Sequence, residues 1–246
     1  MVEYFEFNNE RSYNYGLVVS GVRTFGTPRR RVEALHVYGR NGDILFDEGT
    51  YDNIYVSYDV YIADNFTTRA RDIRGWLLAT NGYLELRDSY SPNMMRFATY
   101  FNSLDYDVID HLMTTGKATI TFYAMPQRYN ADYYDIPIRI SGNTTTSLIN
   151  PYQFTSKPII EVYSTGTVTI NDTVITINQI PTIGVISGSI IIDCDTMQCY
   201  IDEETSANDM VTIDEFPVLL GGTNTITTNL TNSSKSTYIT PRFWTL

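Results

Sequence analysis

Apolar and polar residues alternate along much of this chain with the period of two that is typical of β-strands. The clearest case is residues 54–62, where positions 54, 56, 58, 60 and 62 are all apolar or aromatic. Successive side chains of a strand point to opposite faces, so this pattern predicts a strand with one buried face. The same reasoning predicts further strands in the first half at residues 4–9, 16–19, 31–38, 44–46, 83–87, 97–101 and 117–125.

Two of these strands are joined by a strong turn signal. Residues 39–42 (Gly-Arg-Asn-Gly) separate the strands at 31–38 and 44–46, and an Asn-Gly pair tolerates the positive φ of tight hairpin turns. The sequence therefore predicts a long hairpin here. We expect Asp47–Tyr51 to form a second loop before the strand at 54–62.

One segment has helical spacing instead. We expect Thr67 or Thr68 to cap this helix and Asn81-Gly82 to end it. The apolar positions that define it are Ala70, Ile73, Trp76 and Leu77. Its polar face carries arginines, which indicates a solvated face more often than a nucleic-acid or partner surface. These arginines are Arg69, Arg71 and Arg74.

The second half is nearly all strand. Short strands with regular turn signals are predicted at residues 158–163, 166–170, 173–177, 188–192, 198–201 and 236–240, which favours a β-sandwich. Asp193 is expected to open the turn of a hairpin that spans residues 189–200. Residues 216–226 are interpreted as a connection, and residues 202–209 and 227–235 as the sizeable loops.

Charge divides the chain into two predicted domains. Residues 1–140 carry 14 of the 17 Lys and Arg residues, whereas residues 141–246 carry 3, with 10 Asp and Glu. Residues 141–147 form a polar run without periodicity, which is interpreted as a linker. The predicted domains are therefore 1–140, an α+β unit of sheets with one helix, and 141–246, a β-sandwich. The fold class is mostly β.

Composition excludes several functions. The net charge of −11 argues against wrapping nucleic acid, because phosphate binding depends on Lys and Arg. No stretch approaches the roughly 20 apolar residues that cross a bilayer, and residues 1–7 are acidic where a signal peptide is basic. We therefore expect no membrane insertion, no sequence-specific nucleic-acid binding, and synthesis in a cytoplasm.

No catalytic motif is found. The chain has neither a Gly-x-Ser-x-Gly elbow nor a phosphate-binding Gly-rich loop. Two cysteines, Cys194 and Cys199, are too few for a disulfide framework, and the histidines His36 and His111 lie far from them. Two carboxylate pairs could in principle serve a glycosidase, but adjacent acids in polar turns usually form the turn. These are Asp193 with Asp195 and Asp214 with Glu215. We predict no enzyme, no catalytic residue, no metal and no cofactor.

Sugar binding is the alternative that the residues leave open. Exposed aromatic rings on a sandwich can stack on sugar faces, and the candidates are Tyr152, Tyr163, Tyr238 and Trp244, with Tyr163 and Trp244 preferred. Apolar neighbours such as Ile159-Ile160 and Phe243 favour burial of these rings instead.

Several weak motifs occur in a fixed order along nearly the whole chain. In the first half they are residues 5–9, 15–17, 28–30, 37–42, 49–51, the helix ending at Trp76-Leu77, and 122–129. In the second half they are residues 150–158, the hairpin with Asp193-Cys-Asp-Thr-Met197, residues 216–226, and the close on Arg242-Phe-Trp244. Their order resembles the distal tail protein family of long-tailed bacteriophages that infect Gram-positive bacteria.

The resemblance implies a structural role at the phage tail tip. Such proteins form a ring, usually of six copies, around a DNA channel, and join the major tail tube protein to the tail-associated lysin or tail-spike protein and often to receptor-binding proteins. The first domain forms the ring, and the second, galectin-like sandwich points outward. The implied location is the virion, after synthesis in the bacterial host cytoplasm. Larger members carry an insertion in the second domain for receptors or sugars, but the connections here are short.

Ring closure requires two different complementary patches. The candidates in this sequence are the basic cluster Arg29, Arg30 and Arg31, the hairpin turn with Arg40, and the acidic pair Asp47 and Glu48. The alternative is that these residues are ordinary solvated turns.

Overall fold

The computed structural model describes residues 3–20, 26–62, 64–109, 114–183, 186–202 and 204–246. His111, considered above as a metal ligand, lies outside these ranges. The chain divides into two compact units, Met1–Arg128 with Leu246, and Tyr129–Thr245. This division precedes the predicted boundary after Ile140 by 12 residues, and Ile140 lies inside a strand of the second unit.

The first unit is built mainly from antiparallel strands and one helix. Its main sheet follows the order β2-β1-β7-β8-β10-β6-β3, with β9 paired to β10, while β4 and β5 pair with each other. The strands are β1 (Phe5–Phe7), β2 (Glu10–Arg11), β3 (Leu17–Ser20), β4 (Arg30–Leu35), β5 (Ile44–Tyr51), β6 (Ile54–Ile62), β7 (Leu84–Asp88), β8 (Met94–Thr99), β9 (Asp107–Val108) and β10 (Gly116–Ala124).

The alternation read from residues 54–62 matches the observed burial. Tyr58, Val60 and Ile62 are buried while the residues between them are exposed, and β6 pairs with β10 over its full length. Aromatic rings fill the core beneath this sheet. Phe5 stacks on Trp76 at 5.7 Å between ring centroids and meets Phe122 edge-on at 5.5 Å.

Helix α1 (Phe66–Leu78) begins differently from the prediction. Its N-cap is Asn65, which has a left-handed backbone and makes no side-chain capping bond, so Thr67 and Thr68 lie within the first turn. Asn tolerates this conformation better than most residues. The helix ends at Leu78, ahead of the predicted Asn81-Gly82 stop. Its buried face is the predicted one, formed by Ala70, Ile73, Trp76 and Leu77.

The predicted loop at Asp47–Tyr51 belongs to strand β5 instead. Tyr51 pairs with Arg30 and Asp47 with Val32, so the register shifts between these pairs and the extra residues bulge. Gly49 has φ +69° and donates its N–H to the Asp47 carboxylate at 2.9 Å. A bulge of this kind keeps the strand continuous while it disrupts the local pairing.

The second unit is a β-sandwich. One sheet has the order β12-β23-β14-β19-β20, the other has β13-β22-β15-β16-β21, and β17 pairs with β18. After β11 (Arg128–Asn130), the elements are α2 (Ala131–Tyr134), β12 (Ile138–Ser141), β13 (Thr144–Asn150), β14 (Ile159–Val162), β15 (Gly166–Ile170), β16 (Thr173–Ile177), β17 (Thr182–Ile183), β18 (Ile186–Ser187), β19 (Ile190–Asp193), β20 (Gln198–Tyr200), β21 (Val211–Ile213), β22 (Gly222–Leu230), β23 (Ser236–Thr240) and β24 (Trp244–Thr245).

Branched aliphatic side chains from both sheets form the core of this sandwich. Ile160, Ile192 and Ile239 come from one sheet, and Ile175 and Ile226 from the other, and all are buried in one cluster. β-Branched residues pack well on pleated surfaces, so the Ile-rich sequence of this unit is consistent with the observed sandwich.

The predicted linker at residues 141–147 is a crossing between the two sheets. Strand β12 pairs with β23 in one sheet, and β13 pairs with β22 in the other. Gly142 lies between them with φ +63°, and a Cβ there would lie 2.8 Å from the Ser233 carbonyl oxygen. The predicted loop at 227–235 is likewise strand as far as Leu230.

Candidate assembly surface

The hairpin formed by β4 and β5 has no core of its own in this chain. None of residues 26–50 is buried, and within the described ranges β4 and β5 pair with no strand other than each other. An isolated two-stranded hairpin is at best marginally stable in water. Neither outer edge of the hairpin pairs with another described strand, so backbone groups there are available for pairing. These features are typical of a segment that is completed by a partner.

Large apolar side chains are exposed on both faces of this hairpin. The register places Leu45 opposite Ala34 on one face, and Phe46 opposite Glu33 on the other. Leu45 is 66% exposed and Phe46 56%. Tyr38, beside the turn, is 98% exposed. Grouped exposed apolar residues mark interaction surfaces more often than single ones do. We call Leu35, Tyr38, Leu45 and Phe46 the hairpin apolar set.

The residues predicted from the sequence here are charged, and the hairpin apolar set is not among them. The signal for this set in the sequence is the consecutive pair Leu45-Phe46. Adjacent residues of a strand point to opposite faces, so two large apolar residues in a row leave neither face polar. A strand with one solvated face has polar residues at alternate positions instead.

Two of the predicted interface arginines form ion pairs within the chain. The Arg30 Nε lies 3.0 Å from Asp47 Oδ1, and the Arg31 Nε lies 2.7 Å from Asp52 Oδ1. The pKa of Asp47 is lowered, first by the N–H of Gly49 and then by Arg30. Such exposed pairs add little stability. Arg30 and Asp47 are thus already paired with each other, although they were chosen as charges for a neighbouring subunit.

The remaining predicted charges differ from these pairs. Arg29, Arg40 and Glu48 are all exposed, and none of them forms an ion pair with a described residue. Arg40 lies in the turn of the hairpin, while Glu48 lies in the bulge of β5. The structure therefore places all six predicted residues on the hairpin or at its base.

The sugar-stacking candidates make different contacts. Tyr163 meets Tyr238 edge-on, with ring centroids 5.8 Å apart, on the outer side of the β14-containing sheet. Trp244 instead stacks on Phe154 at 4.5 Å, and its Nε1 donates to the Thr155 carbonyl at 2.9 Å. One ring face of Trp244 is thus already covered, while Tyr163 and Tyr238 form a pair.

The first carboxylate pair considered for a glycosidase and the two cysteines lie close together around the turn after β19. Asp193 Oδ1 accepts from the backbone N–H of Asp195, as expected for a turn-forming residue, and Asp193 also binds Arg242. Burial raises the pKa of the Cys194 thiol to about 12 and that of Cys199 to about 11. Among the residues that the structure describes, no group of His, Cys, Asp and Glu could hold a metal ion. No helix there is long and apolar enough to cross a membrane.

The arginines on the polar face of helix α1 also have local contacts. Arg69 Nε lies 2.6 Å from Asp64 Oδ1, and Arg74 lies over the Tyr106 ring at 5.6 Å. Arg71 Nε lies 3.4 Å from Asp72 Oδ1. These contacts suit the interpretation of a solvated face.

Comparison with solved structures defines the class of fold. The fold is similar to that of a solved phage hub protein over nearly the whole chain. The similar structure is the Dit protein (gp 19.1) of phage SPP1, described as a paradigm of the hub adsorption apparatus in phages that infect Gram-positive bacteria. The TM-score is 0.70 at 14% identity, over 97% of this chain and 98% of SPP1 Dit.

The resemblance inferred from the sequence is thereby confirmed at the level of the fold, as is the mostly β class. No family model matches the chain. No curated protein matches it either.

Proposed function

We propose that this protein is a structural hub of a phage tail tip, acts without catalysis and is a component of the virion. The observation that carries the proposal is the fold shared with SPP1 Dit along almost the full length of both chains. Two units are matched in one alignment, so the likeness extends beyond a single common sandwich. Fold alone does not define function, and the hairpin supplies the second argument.

The hairpin is suited to ring assembly. A ring closes when one patch of each copy meets a different patch of the next copy. The hairpin apolar set is exposed on both faces, and burying it against a neighbour yields about 25 cal/mol for each Å² removed from water. Arg29, Arg40 and Glu48 are available to fix the register of that contact. In this proposal the hairpin, together with the paired Arg30, Arg31 and Asp47, forms part of a ring of six copies.

The ring would join the major tail tube protein to the tail-associated lysin or tail-spike protein and to receptor-binding proteins. Its central channel would let DNA pass. The net charge of −11 suits this role, because an acidic protein does not hold the DNA phosphates. The protein would be made in the cytoplasm of the bacterial host.

The position of this protein in the virion tests the proposed hub role. Phage particles would be labelled with gold-conjugated antibodies raised against this chain and viewed by electron microscopy. The proposal expects gold at the tip of the tail, away from the head. Label spread along the tube, or particles without label after the tail tip has been exposed by mild detergent, would contradict it.

Ring formation has a separate test. Leu45→Ser removes one member of the hairpin apolar set, and Ile149→Ser is its matched control, because Ile149 is 65% exposed in the second unit. Sedimentation and electron microscopy would compare both variants with the parent chain, alone and with the tail tube protein of the same virion. We expect Leu45→Ser to weaken the ring at least tenfold and Ile149→Ser to leave it unchanged. Equal assembly of all three proteins would exclude the hairpin as the contact.

A further inference from the structure

A row of chemically distinct side chains crosses the outer face of one sandwich sheet. Arg139 of β12 pairs in register with Tyr238 of β23, and Tyr238 pairs with Glu161 of β14. Neighbouring strands lie about 4.8 Å apart, so Arg139 and Glu161 are separated by about 10 Å with Tyr238 between them. No ion pair joins Arg139 and Glu161, both of which lie in the part of the chain that the structure describes.

Glu161 is held in place by neutral donors. Its Oε1 accepts hydrogen bonds from the Tyr163 hydroxyl at 2.7 Å and the Ser189 hydroxyl at 2.9 Å. The bond from Tyr163 raises the pKa of that phenol. Glu161 forms no ion pair with any residue that the structure describes, although it lies on a central strand of the sheet and is partly buried. Its carboxylate is therefore oriented but not neutralised.

The tyrosines beside this carboxylate form an aromatic surface. Tyr163 and Tyr238 are partly exposed, with their rings inclined at 69°. Each ring has an apolar face and a polar tip, a combination that suits ligands with both apolar and hydroxyl groups.

Arg139 supplies donors on the opposite side of Tyr238. Its side chain is exposed, and its Nε donates to the Ser236 hydroxyl at 2.9 Å. A guanidinium has five N–H groups in a fixed plane, so the remaining groups can donate elsewhere. Like Glu161, Arg139 forms no ion pair with a described residue.

We propose that Arg139, Tyr238, Glu161 and Tyr163 form a binding site for a neutral pyranose ring of a glycan. A pyranose presents an apolar face to an aromatic ring, while its hydroxyls both donate and accept. The ring would lie over Tyr238, donate to Glu161 and accept from Arg139. A simple ammonium ligand would use Glu161 alone and be repelled by Arg139. The site does not include Trp244, and it does not depend on ring assembly, since all its residues belong to the second unit.

The test uses the purified full chain and saturation-transfer difference NMR with free glucose, galactose and N-acetylglucosamine as probes. Sorbitol, an open-chain polyol, is the control ligand. Glu161→Gln changes charge at almost constant shape, Tyr238→Ala removes the central ring, and Tyr38→Ala is the control for loss of an exposed tyrosine. We expect transfer to at least one pyranose, an affinity about tenfold weaker in Glu161→Gln, as for loss of a charged hydrogen bond, and no change in Tyr38→Ala.

Three results would overturn the proposal: no transfer to any of the pyranoses, equal transfer to sorbitol, or undiminished binding in Glu161→Gln. If Tyr238→Ala fails to fold, Tyr238→Phe replaces it, and retained binding is expected because the ring remains. Loss of binding in that folded variant would also contradict stacking on Tyr238. None of these outcomes bears on the gold-labelling test of the tail-tip location.

Discussion

Arg242 binds Asp193 through two parallel contacts, Nη1 to Oδ1 at 2.9 Å and Nη2 to Oδ2 at 3.3 Å. Asp193 is only 6% exposed, and its Oδ1 also closes the turn after β19. The backbone of Arg242 has the left-handed conformation, with φ 53°. Phe243, the next residue, is fully buried and accepts the N–H of Asn130 at its carbonyl. The ion pair therefore fastens the C-terminal segment to the sandwich.

Removing the arginine would leave a buried carboxylate without its counter-charge. We expect Arg242→Met to destabilise the second unit by about 3 kcal/mol, as is typical when one partner of a buried pair is lost. Arg242→Lys should recover part of this loss, because it restores charge but not the bidentate geometry. Urea unfolding followed by near-UV circular dichroism measures both. A loss below about 1 kcal/mol in Arg242→Met would show that water or the turn N–H groups compensate the carboxylate.

Alkaline pH should weaken the second unit through its buried thiols. Burial raises the pKa of Cys194 from 9.0 to about 12, so the folded state keeps a proton that the unfolded chain releases. The contribution of this thiol to the free energy of unfolding is then fully present below pH 9.0 and is lost progressively as the pH rises toward about 12. Cys199 acts in the same direction, with a pKa of about 11.

The double variant Cys194→Ala with Cys199→Ala isolates this effect. We expect it to flatten the fall in the urea midpoint across this pH range, even if its stability at neutral pH is lower. Tyr129 also contributes in the parent and in the variant, because burial raises its pKa to about 12. If the urea midpoints of the parent and the double variant fall in parallel as the pH rises, the loss of stability at alkaline pH would be assigned to tyrosines instead.

Gly166 is a position where an added methyl group cannot fit. It has φ +132°, and a Cβ would lie 2.7 Å from the Leu230 Cα on the paired strand. The clash is with backbone, so Gly166→Ala should cost at least about 2 kcal/mol. Gly42→Ala is the control, since φ is +81° there but nothing lies within 4 Å. Its strain alone should cost about 1 kcal/mol. Equal unfolding free energies for the two variants would mean that the β15–β22 pair shifts to accept the methyl group.

Much of this fold follows from the sequence where one face of an element is buried. Residues 54–62 and the apolar face of α1 were predicted because the hydrophobic period was complete. Strand β13 was missed, since its exposed and half-exposed positions are mainly Thr and Ser, and such a run has the composition of a loop. Pairing with β22 supplies the order that its own residues do not indicate.

The charged residues proposed from the sequence lie on the hairpin, but their pairing within the chain was not predicted. Sequence shows that Arg30 and Asp47 carry opposite charges, but not that the two strands bring them together. Cross-strand distances depend on register, and the bulge at Gly49 shifts that register. For the same reason Glu161 and Arg139 were not selected, because they become neighbours of one tyrosine only through strand pairing.

Two phenylalanines offer the sharpest comparison between the core and the proposed assembly surface. Phe122 is fully buried against Phe5, Phe7 and Tyr58, whereas Phe46 of the hairpin is 56% exposed. Phe122→Ala leaves a cavity and should lower the unfolding free energy by about 3–5 kcal/mol. Phe46→Ala should change it by no more than about 0.5 kcal/mol.

Thermal unfolding of the unassembled chain distinguishes these values directly. If the proposed ring forms through the hairpin, Phe46→Ala should combine parental stability with impaired ring formation, because its side chain would be buried only against a neighbour. Phe122→Ala should lose stability whether or not the ring forms. A Phe46→Ala variant that is as destabilised as Phe122→Ala would show that the hairpin packs against its own chain, and would remove the main physical argument for its role in assembly.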